Sequence, residues 1–456
     1  MTALRGSLIG AAMAALLATP ALAGNGIEDI GTTIRELGRG GTFIGAEGEV
    51  GSMMGNPAAL AWLRESEFYL DGRLWQSQLD YSGALNGIGQ KENYVVPNIG
   101  YAAPVDCRLS WGLGVFTTVN SSFRVTDYDL SLLGAPAGTT DRSSTKVRFA
   151  VITPSIAYKL SDDTAIGASL HYTNGSADFQ GYNILGDTLG YSLNGPSGSG
   201  HMLRLGLSHR ADEQTTLGAY WRSRSHLDIS GGDLAFGALT PTPGVVIPET
   251  GIEGFQFPEQ YGVGIRHEAD EEWTWMADYR RLLWSGSGET ISFVPSQGPP
   301  LGLAMDWSDQ DVYALGAEYS PGCGDDTWRF GLNYAASPVP DSTLSPLYPA
   351  ISEWHYTMGW EGEVADNLSL LTGAVYSPSV SRSSAVGNPF NDLLGMGQPF
   401  QLSLDNLELG IGLSWKLGSG GSGRSTVDND CDGCHCKECC DCECGCGAEG
   451  YAALSE

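Results

Sequence analysis

Between Ser66 and Leu417 apolar residues return at every second position in one stretch after another, and this repetition leaves few folds open. Leu203, Leu205 and Leu207 alternate with Arg204, Gly206 and Ser208. Trp328, Phe330, Leu332 and Tyr334 alternate with Arg329, Gly331 and Asn333, and the stretch from Leu407 to Leu417 repeats the pattern. A period of two puts one set of side chains on each face of a strand. One face here is apolar or aromatic and the other small or polar, as lipid and lumen require of a membrane barrel. After the N-terminal leader, no run reaches the roughly 18 uncharged apolar residues of a spanning helix.

Strands are expected at 66–81, 93–103, 109–119, 145–159, 164–177, 201–211, 215–230, 256–268, 272–285, 309–320, 326–336, 353–363, 367–377 and 406–417. Their number is even, which lets one chain close with both ends on the same side. Short turns at 104–108, 160–163, 212–214, 269–271, 321–325 and 364–366 alternate with long connections at 82–92, 120–144, 178–200, 231–255, 286–308, 337–352 and 378–405. Outer-membrane barrels keep short turns in the periplasm and long loops outside, so both ends of the strand series belong to the periplasm. The expected fold class is all-β: a 14-stranded antiparallel transmembrane β-barrel plugged by an N-terminal hatch.

Composition agrees with a barrel. The chain holds 63 Gly, 19 Tyr and 12 Trp but only 24 Lys and Arg, and 17% of its residues are charged, against about a quarter in soluble domains. A net charge of −29 argues against nucleic-acid binding, which needs a basic footprint. Acidic outer loops account for it. Residues 1–23 have the form of a secretory signal: Arg5, an apolar run from Leu8 to Leu17, and Ala21-Leu22-Ala23 before the cleavage point. Trp273, Trp275 and Trp284 near strand ends suit an interfacial girdle or ordinary sheet packing.

Residues 24–65 are too rich in glycine for a membrane strand or a stable helix, yet carry Phe43, Ile44, Val50, Met53, Met54, Leu60 and Trp62. A compact apolar segment ahead of a strand series suits a plug. Its Gly38-Arg39-Gly40 followed by Asn56-Pro57-Ala58 resembles the hatch of the FadL-type outer-membrane transporters of long-chain fatty acids and hydrocarbons, the FadL/TodX family. Later blocks are similar to that family in the same order: Pro97 to Ala102 leading to Trp111 to Val115, Thr153 to Leu160 followed by Ile166 to Leu170, Phe257 to Gly264, and Phe330 to Tyr334 with Pro338-Val339-Pro340. The resemblance covers a hatch (24–65) and a barrel (66–417); before them lies the signal peptide (1–23) and after them a Gly/Ser linker with a Cys-rich periplasmic tail (418–456).

What the resemblance implies is passive uptake of hydrophobic small molecules through the outer membrane, with no cofactor for transport. A groove in the outer loops would capture the ligand, a pocket beside the hatch would hold it, and a shift of the hatch would pass it on. The exit would be a lateral gap at a kink in the third strand, for which Gly112 and Gly114 are the candidates; the same glycines suit plain packing. Leu130, Leu132 and Leu133 in one long loop, with Phe236 and Leu239 in another, either shape a capture site or pack a cap. Lys146 and Arg148 are expected to face the lumen and meet a carboxylate or balance lumenal acids; Arg222 and Arg224 are similar. No nucleophile motif supports an enzyme, the nearest approach being His171 beside Ser169.

The tail departs from the family. Cys431, Cys434, Cys436, Cys439, Cys440, Cys442, Cys444 and Cys446 crowd into sixteen residues. Thiolates at this spacing suit a soft ion such as Zn or Cu(I), and disulfides in an oxidising periplasm are the alternative. A surface structural or binding barrel, or a metal-handling protein acting through this tail, is the competing reading of the whole chain.

Overall fold

The computed structural model describes residues 24–133, 136–185, 188–238, 244–287, 289–322, 326–388 and 398–417. The expected signal peptide, Leu239, Cys323 and the tail with its eight cysteines lie outside the described residues. The strands form one twenty-stranded sheet. Its main circuit runs from β1 (Ser66–Ser82) through β3 (Lys91–Pro104), β4 (Leu109–Asp129), β5 (Thr140–Lys159), β6 (Thr164–Leu185), β8 (Ser197–Arg210) and β9 (Thr215–Arg222) to β12 (Glu259–Glu268). It continues through β13 (Trp273–Leu283), β16 (Gln310–Tyr319), β17 (Asp326–Ala335), β18 (Trp354–Ala365), β19 (Leu368–Ser383) and β20 (Gln401–Leu417). β20 pairs back onto β1, and every pair is antiparallel, so the barrel is closed.

Six further strands rise from stretches expected to be long connections: β2 (Ile88–Gly89), β7 (Thr188–Asn194), β10 (His226–Ala238), β11 (Val245–Glu253), β14 (Thr290–Val294) and β15 (Leu301–Ala304). The expected strand 215–230 is divided: β9 stops at Arg222 and β10 begins at His226, pairing instead with β7, β8 and β11. Alternation at Leu227 and Ile229 marks the start of β10, and Leu234 follows beyond two register shifts; all three are buried.

Three of the short turns are held by one device. Asp106 accepts from the Arg108 and Leu109 amides, each at 2.8 Å, Asp212 from Gln214 at 2.9 Å, and Asp270 from Glu272 and Trp273 at 2.9 and 2.8 Å. Those bonds hold the Asp106 and Asp212 carboxyls below the ordinary carboxylate range.

Leu70, Leu113, Ile156, Leu205, Val263, Leu315, Phe330 and Ile411 are among the exposed apolar residues, giving the barrel an outward lipid-facing band. Within that band the inner face is polar or small, as expected. Further out the arrangement reverses. On β5, Ile152 and Ile156 point outward near one end, whereas Val147 and Phe149, each 1% exposed, point inward near the other. Lys146 and Arg148 are therefore exposed and outward, which corrects the expectation that they face the lumen. The strand keeps its parity throughout; what changes is the surroundings. Polar, exposed side chains line the outside of that part of the strand, and an apolar cluster lies inside it. β6 behaves alike, with Leu170 and Tyr172 outward, then Ala177 and Phe179 inward.

Candidate functional site

The N-terminal segment is folded against the inner wall. Thr33 caps α1 (Ile34–Gly38): its hydroxyl accepts from the Glu36 amide at 3.4 Å, and the Glu36 carboxylate accepts from the Thr33 amide at 3.4 Å. Gly40 and Gly41, at φ +73° and +77°, turn the chain out of the helix. Buried charges then fix the position. Arg35 pairs with Glu67 and with Glu361 at 2.6 Å, while Arg39 pairs with Glu49 and with Glu318 at 3.2 Å. Arg329 joins Glu318 and Glu361 at 2.7 and 2.9 Å. Each carboxylate comes from the segment or from a different strand, and pairing is what makes these buried charges tolerable.

The residues that carried the resemblance touch the wall directly. The Gly38 carbonyl accepts from Thr357 Oγ1 at 3.0 Å, and the same hydroxyl lies 2.9 Å from the Gly40 amide. The Phe43 and Ile44 amides donate to Asp278 at 2.7 and 3.0 Å. Asn56 caps the 3₁₀ turn Pro57–Trp62 by accepting from Ala58 at 3.2 Å. Its Nδ2 donates to the Ile44 carbonyl and to the Leu207 carbonyl of β8, both at 2.9 Å. Asn56 thus ties two parts of the segment to each other and to a strand.

Strand glycines provide the room. A Cβ at Gly331 would collide with the Gly40 amide, and one at Gly218 with the Ile44 carbonyl. The backbone of the segment lies where wall side chains would otherwise stand. This use of strand glycine as a seat for another backbone was missed in the sequence, although the alternation of Gly with aromatics signalled a small inner face.

The irregularity in the third strand of the circuit lies at a place other than Gly112 and Gly114. A Cβ at Gly112 would come 2.6 Å from Met53 Sδ, and one at Gly114 would strike the Phe116 ring, so both glycines make packing space. The register instead shifts between Thr117 and Val119, where β4 carries one extra residue, Thr118, against β5. On the other side, β3 pairs with β1 from Lys91 to Ala102 but with β4 only up to the Ile99–Val115 pair. Pro97 has no amide hydrogen to continue that ladder. Side chains span the separation: Asn98 Oδ1 accepts from the Thr117 amide at 2.9 Å, and Asn120 Nδ2 donates to the Val95 carbonyl at 2.8 Å. Pairing resumes further out, where β2 meets Val125 and Thr126.

A cavity of about 490 Å³, open mouth included, lies against this unpaired stretch. Asn120, Ser121 and Phe123 of β4, Trp75 of β1 and Tyr94 of β3 line it, with Gly24, Gly26, Ile27, Glu28 and Asp29 of the segment. A second cavity of about 340 Å³ meets it at Ile27 and Tyr348 and is lined by Phe255, Trp284, Met305 and Trp307. Both open within the apolar cluster that fills the outer half of the lumen.

Of the loop residues singled out, Leu130 is 1% exposed within that cluster and Phe236 packs against it. The side chains of Leu132 and Leu133, like all of Leu239, fall outside the described residues. Arg222 faces inward and pairs with Glu28 at 2.5 Å, whereas Arg224 is exposed and donates to the Gly286 carbonyl. Ser169 bonds Ser155 at 2.7 Å, and no bond joins it to buried His171. Cys107 is disulfide-bonded; the other nine cysteines lie outside the described residues.

Residues 14–370 match the family described as outer membrane protein transport protein (OMPP1/FadL/TodX). No curated protein sequence matches the chain. Among solved structures, the toluene transporter TodX of P. putida is 18% identical and superposes with a TM-score of 0.71, covering 86% of this chain and 99% of its own. The Ralstonia pickettii toluene transporter TbuX is 19% identical with a TM-score of 0.65, covering 85% and 98%. A Pseudomonas aeruginosa FadL homologue is 14% identical with a TM-score of 0.70, covering 86% and 100%. These solved structures are transporters and a transporter homologue rather than enzymes.

Proposed function

The chain belongs to the OMPP1/FadL/TodX family of outer-membrane transporters of hydrophobic compounds, and we propose that it works by passive uptake, with long-chain fatty acids or hydrocarbons as the ligand classes. Residues 24–65 act as the hatch of a membrane-embedded ring of fourteen strands. The pairing circuit from β1 to β20, with the six outer strands set aside, supports that ring. The similarity to the toluene transporters TodX and TbuX favours hydrocarbons.

The observation that carries the proposal is an apolar cavity set against a length of barrel wall that lacks backbone pairing. Beneath it, buried ion pairs and the glycine seats favour a filled inner lumen. An apolar molecule gains about 0.8 kcal/mol per CH₂ on leaving water, so a dry route between β3 and β4 serves it better than a wet pore. The outer apolar cluster, with Leu130 and Phe236 at its upper side, collects the ligand. The cavities beside Ile27 hold it, and the unpaired stretch of β4 releases it sideways.

Residues 1–23 are the signal peptide. The tail from 418 to 456 lies in the periplasm, where Cys431, Cys434, Cys436, Cys439, Cys440, Cys442, Cys444 and Cys446 hold Zn or Cu(I), or cross-link.

Deleting Thr118 tests the exit. Removal of the extra residue makes the β4–β5 register continuous from Leu109 to Val125, leaving only the outer shift between Val125 and Tyr128, without changing which face Phe116 and Val119 present. Uptake of a labelled hydrophobic compound by whole cells, at matched barrel expression, is expected to fall at least tenfold, in the range that loss of a dedicated path allows. Uptake unchanged in a folded deletion variant would exclude the lateral route.

A further inference from the structure

We propose that the two cavities admit uncharged ligands, with ring hydrocarbons the favoured class, and reject carboxylates. This rests on the transport reading above and narrows its ligand. The linings supply the argument. Trp75, Tyr94, Phe123 and Leu404 face the first cavity, and Phe255, Trp284, Met305 and Trp307 the second. Among the described residues neither lining contains a Lys, Arg or His, while Glu28 and Asp29 contribute two carboxylates to the first.

Nearby cations are already engaged by those same carboxylates. Arg222 pairs with Glu28 at 2.5 Å and donates to the Pro258 carbonyl at 2.8 Å. Arg73, fully buried, lies between Asp29 and Glu408 at 2.8 Å each. Arg73 and Arg222 leave only Nε unpaired, and Arg204 and Arg280 also leave nitrogens unpaired, but none of the four lines either cavity. Arg204 stacks on Tyr220 at 4.5 Å, and Arg280 sits over Phe43 at 5.1 Å and donates to the Ile30 carbonyl.

An anionic ligand entering either cavity would lose its hydration and gain no free cation, which is costly. In the first cavity it would also meet two acids. An uncharged ring loses little hydration and gains aromatic contacts, including the Trp75–Tyr94 pair stacked at 5.7 Å. The polar atoms available there, on Asn120, Ser121, Ser352 and Asn406, are neutral. Asn406 already donates to Ser352 at 2.8 Å.

The test compares two molecules of nearly equal shape, p-xylene and p-toluate, at neutral pH. Binding of each radiolabelled compound to the purified full chain in amphipol is measured by equilibrium dialysis, with empty amphipol as the blank. The wild-type chain is expected to bind p-xylene, with p-toluate weaker by roughly 100-fold. Two variants install a free cation: Asn120→Lys at the edge of the first cavity, and Glu28→Gln, which releases Arg222. In either, the ratio of the two affinities is expected to narrow at least tenfold. Heat-modifiable migration on gels checks that each variant is folded. Equal binding of both compounds by the wild-type chain overturns the selectivity and leaves transport standing, as does an unchanged ratio in both folded variants. Binding of neither compound overturns the transport reading and the selectivity with it.

Discussion

Replacing Asn56 with alanine removes three hydrogen bonds at a fully buried site: the cap on Ala58 and the two donations to Ile44 and Leu207. Each such bond contributes about 1 kcal/mol net, and the carbonyls left behind add desolvation cost where no water replaces the amide. The N-terminal segment is thereby expected to lose about 2–4 kcal/mol of its preference for the seated position. Barrel stability rests on the strand ladders, which do not involve this side chain. At about 1.4 kcal/mol per tenfold, the ratio of displaced to seated segment rises roughly 30- to 700-fold. Single-channel recording in planar bilayers measures this directly, as brief conducting events rare in the wild-type protein. Uptake of a small hydrophilic dye by whole cells is the second readout. Unchanged conductance and dye entry in a folded, heat-modifiable Asn56→Ala barrel would refute the idea that this residue holds the segment against the wall.

Gly331→Val places a branched side chain onto the Gly40 amide and is expected to cost about 1–3 kcal/mol or more by overpacking. Gly72→Ala, where a Cβ meets nothing within 4 Å, is the neutral control in the same unfolding experiment. The double variant Lys146→Gln, Arg148→Gln is expected to leave uptake of every hydrophobic compound within about twofold, because both side chains are exposed and outward. A larger loss would show that they take part in capture. Asp106 and Asp212 have carboxyls held below their ordinary range, so they lend stability that is present above about pH 4 and fades as pH falls through the lowered values. Asn at both positions is expected to keep the turns yet flatten the acid limb of the unfolding midpoint against pH.

The outline of the fold was legible because a lipid-facing strand has few ways to be written. Leu203, Leu205 and Leu207 declare an outward face whatever the rest of the chain does, and all three are exposed. Connection length marked the ends of the barrel for an equally local reason, a short turn needing only an Asp or Ser to satisfy two amides. The six outer strands were harder to see, since β7, β10, β11, β14 and β15 depend on pairing with each other or with β6 and β8 above the lipid band. Within the segment, Asn56 and Gly40 were recognisable by type. Their partners Leu207 and Thr357 lie 151 and 317 positions away in the chain, beyond any local signal.

The wrong assignment of Lys146 and Arg148 shows what a period of two does and does not carry. Alternation fixes which residues share a face, and it placed Lys146 with Arg148 and Val147 with Phe149 correctly. It does not say which face is inside. In an ordinary porin the lumen is polar along its whole height, so the polar set points inward throughout. Here Val151, Thr153, Ser155 and Ala157 fill the inward positions of β5 beside the hatch-like segment, then Val147 and Phe149 fill them beside the apolar cluster. The same inversion occurs on β6, from His171 and Thr173 to Ala177 and Phe179. A strand whose polar set changes sides without a change of parity has crossed from a lipid-facing height to a water-facing one, while its interior has gone from polar to apolar. That reversal is itself a sequence signal. It marks an interior built to hold apolar matter above the membrane midplane, and it distinguishes a barrel that gathers hydrophobic compounds from one that passes solutes in water.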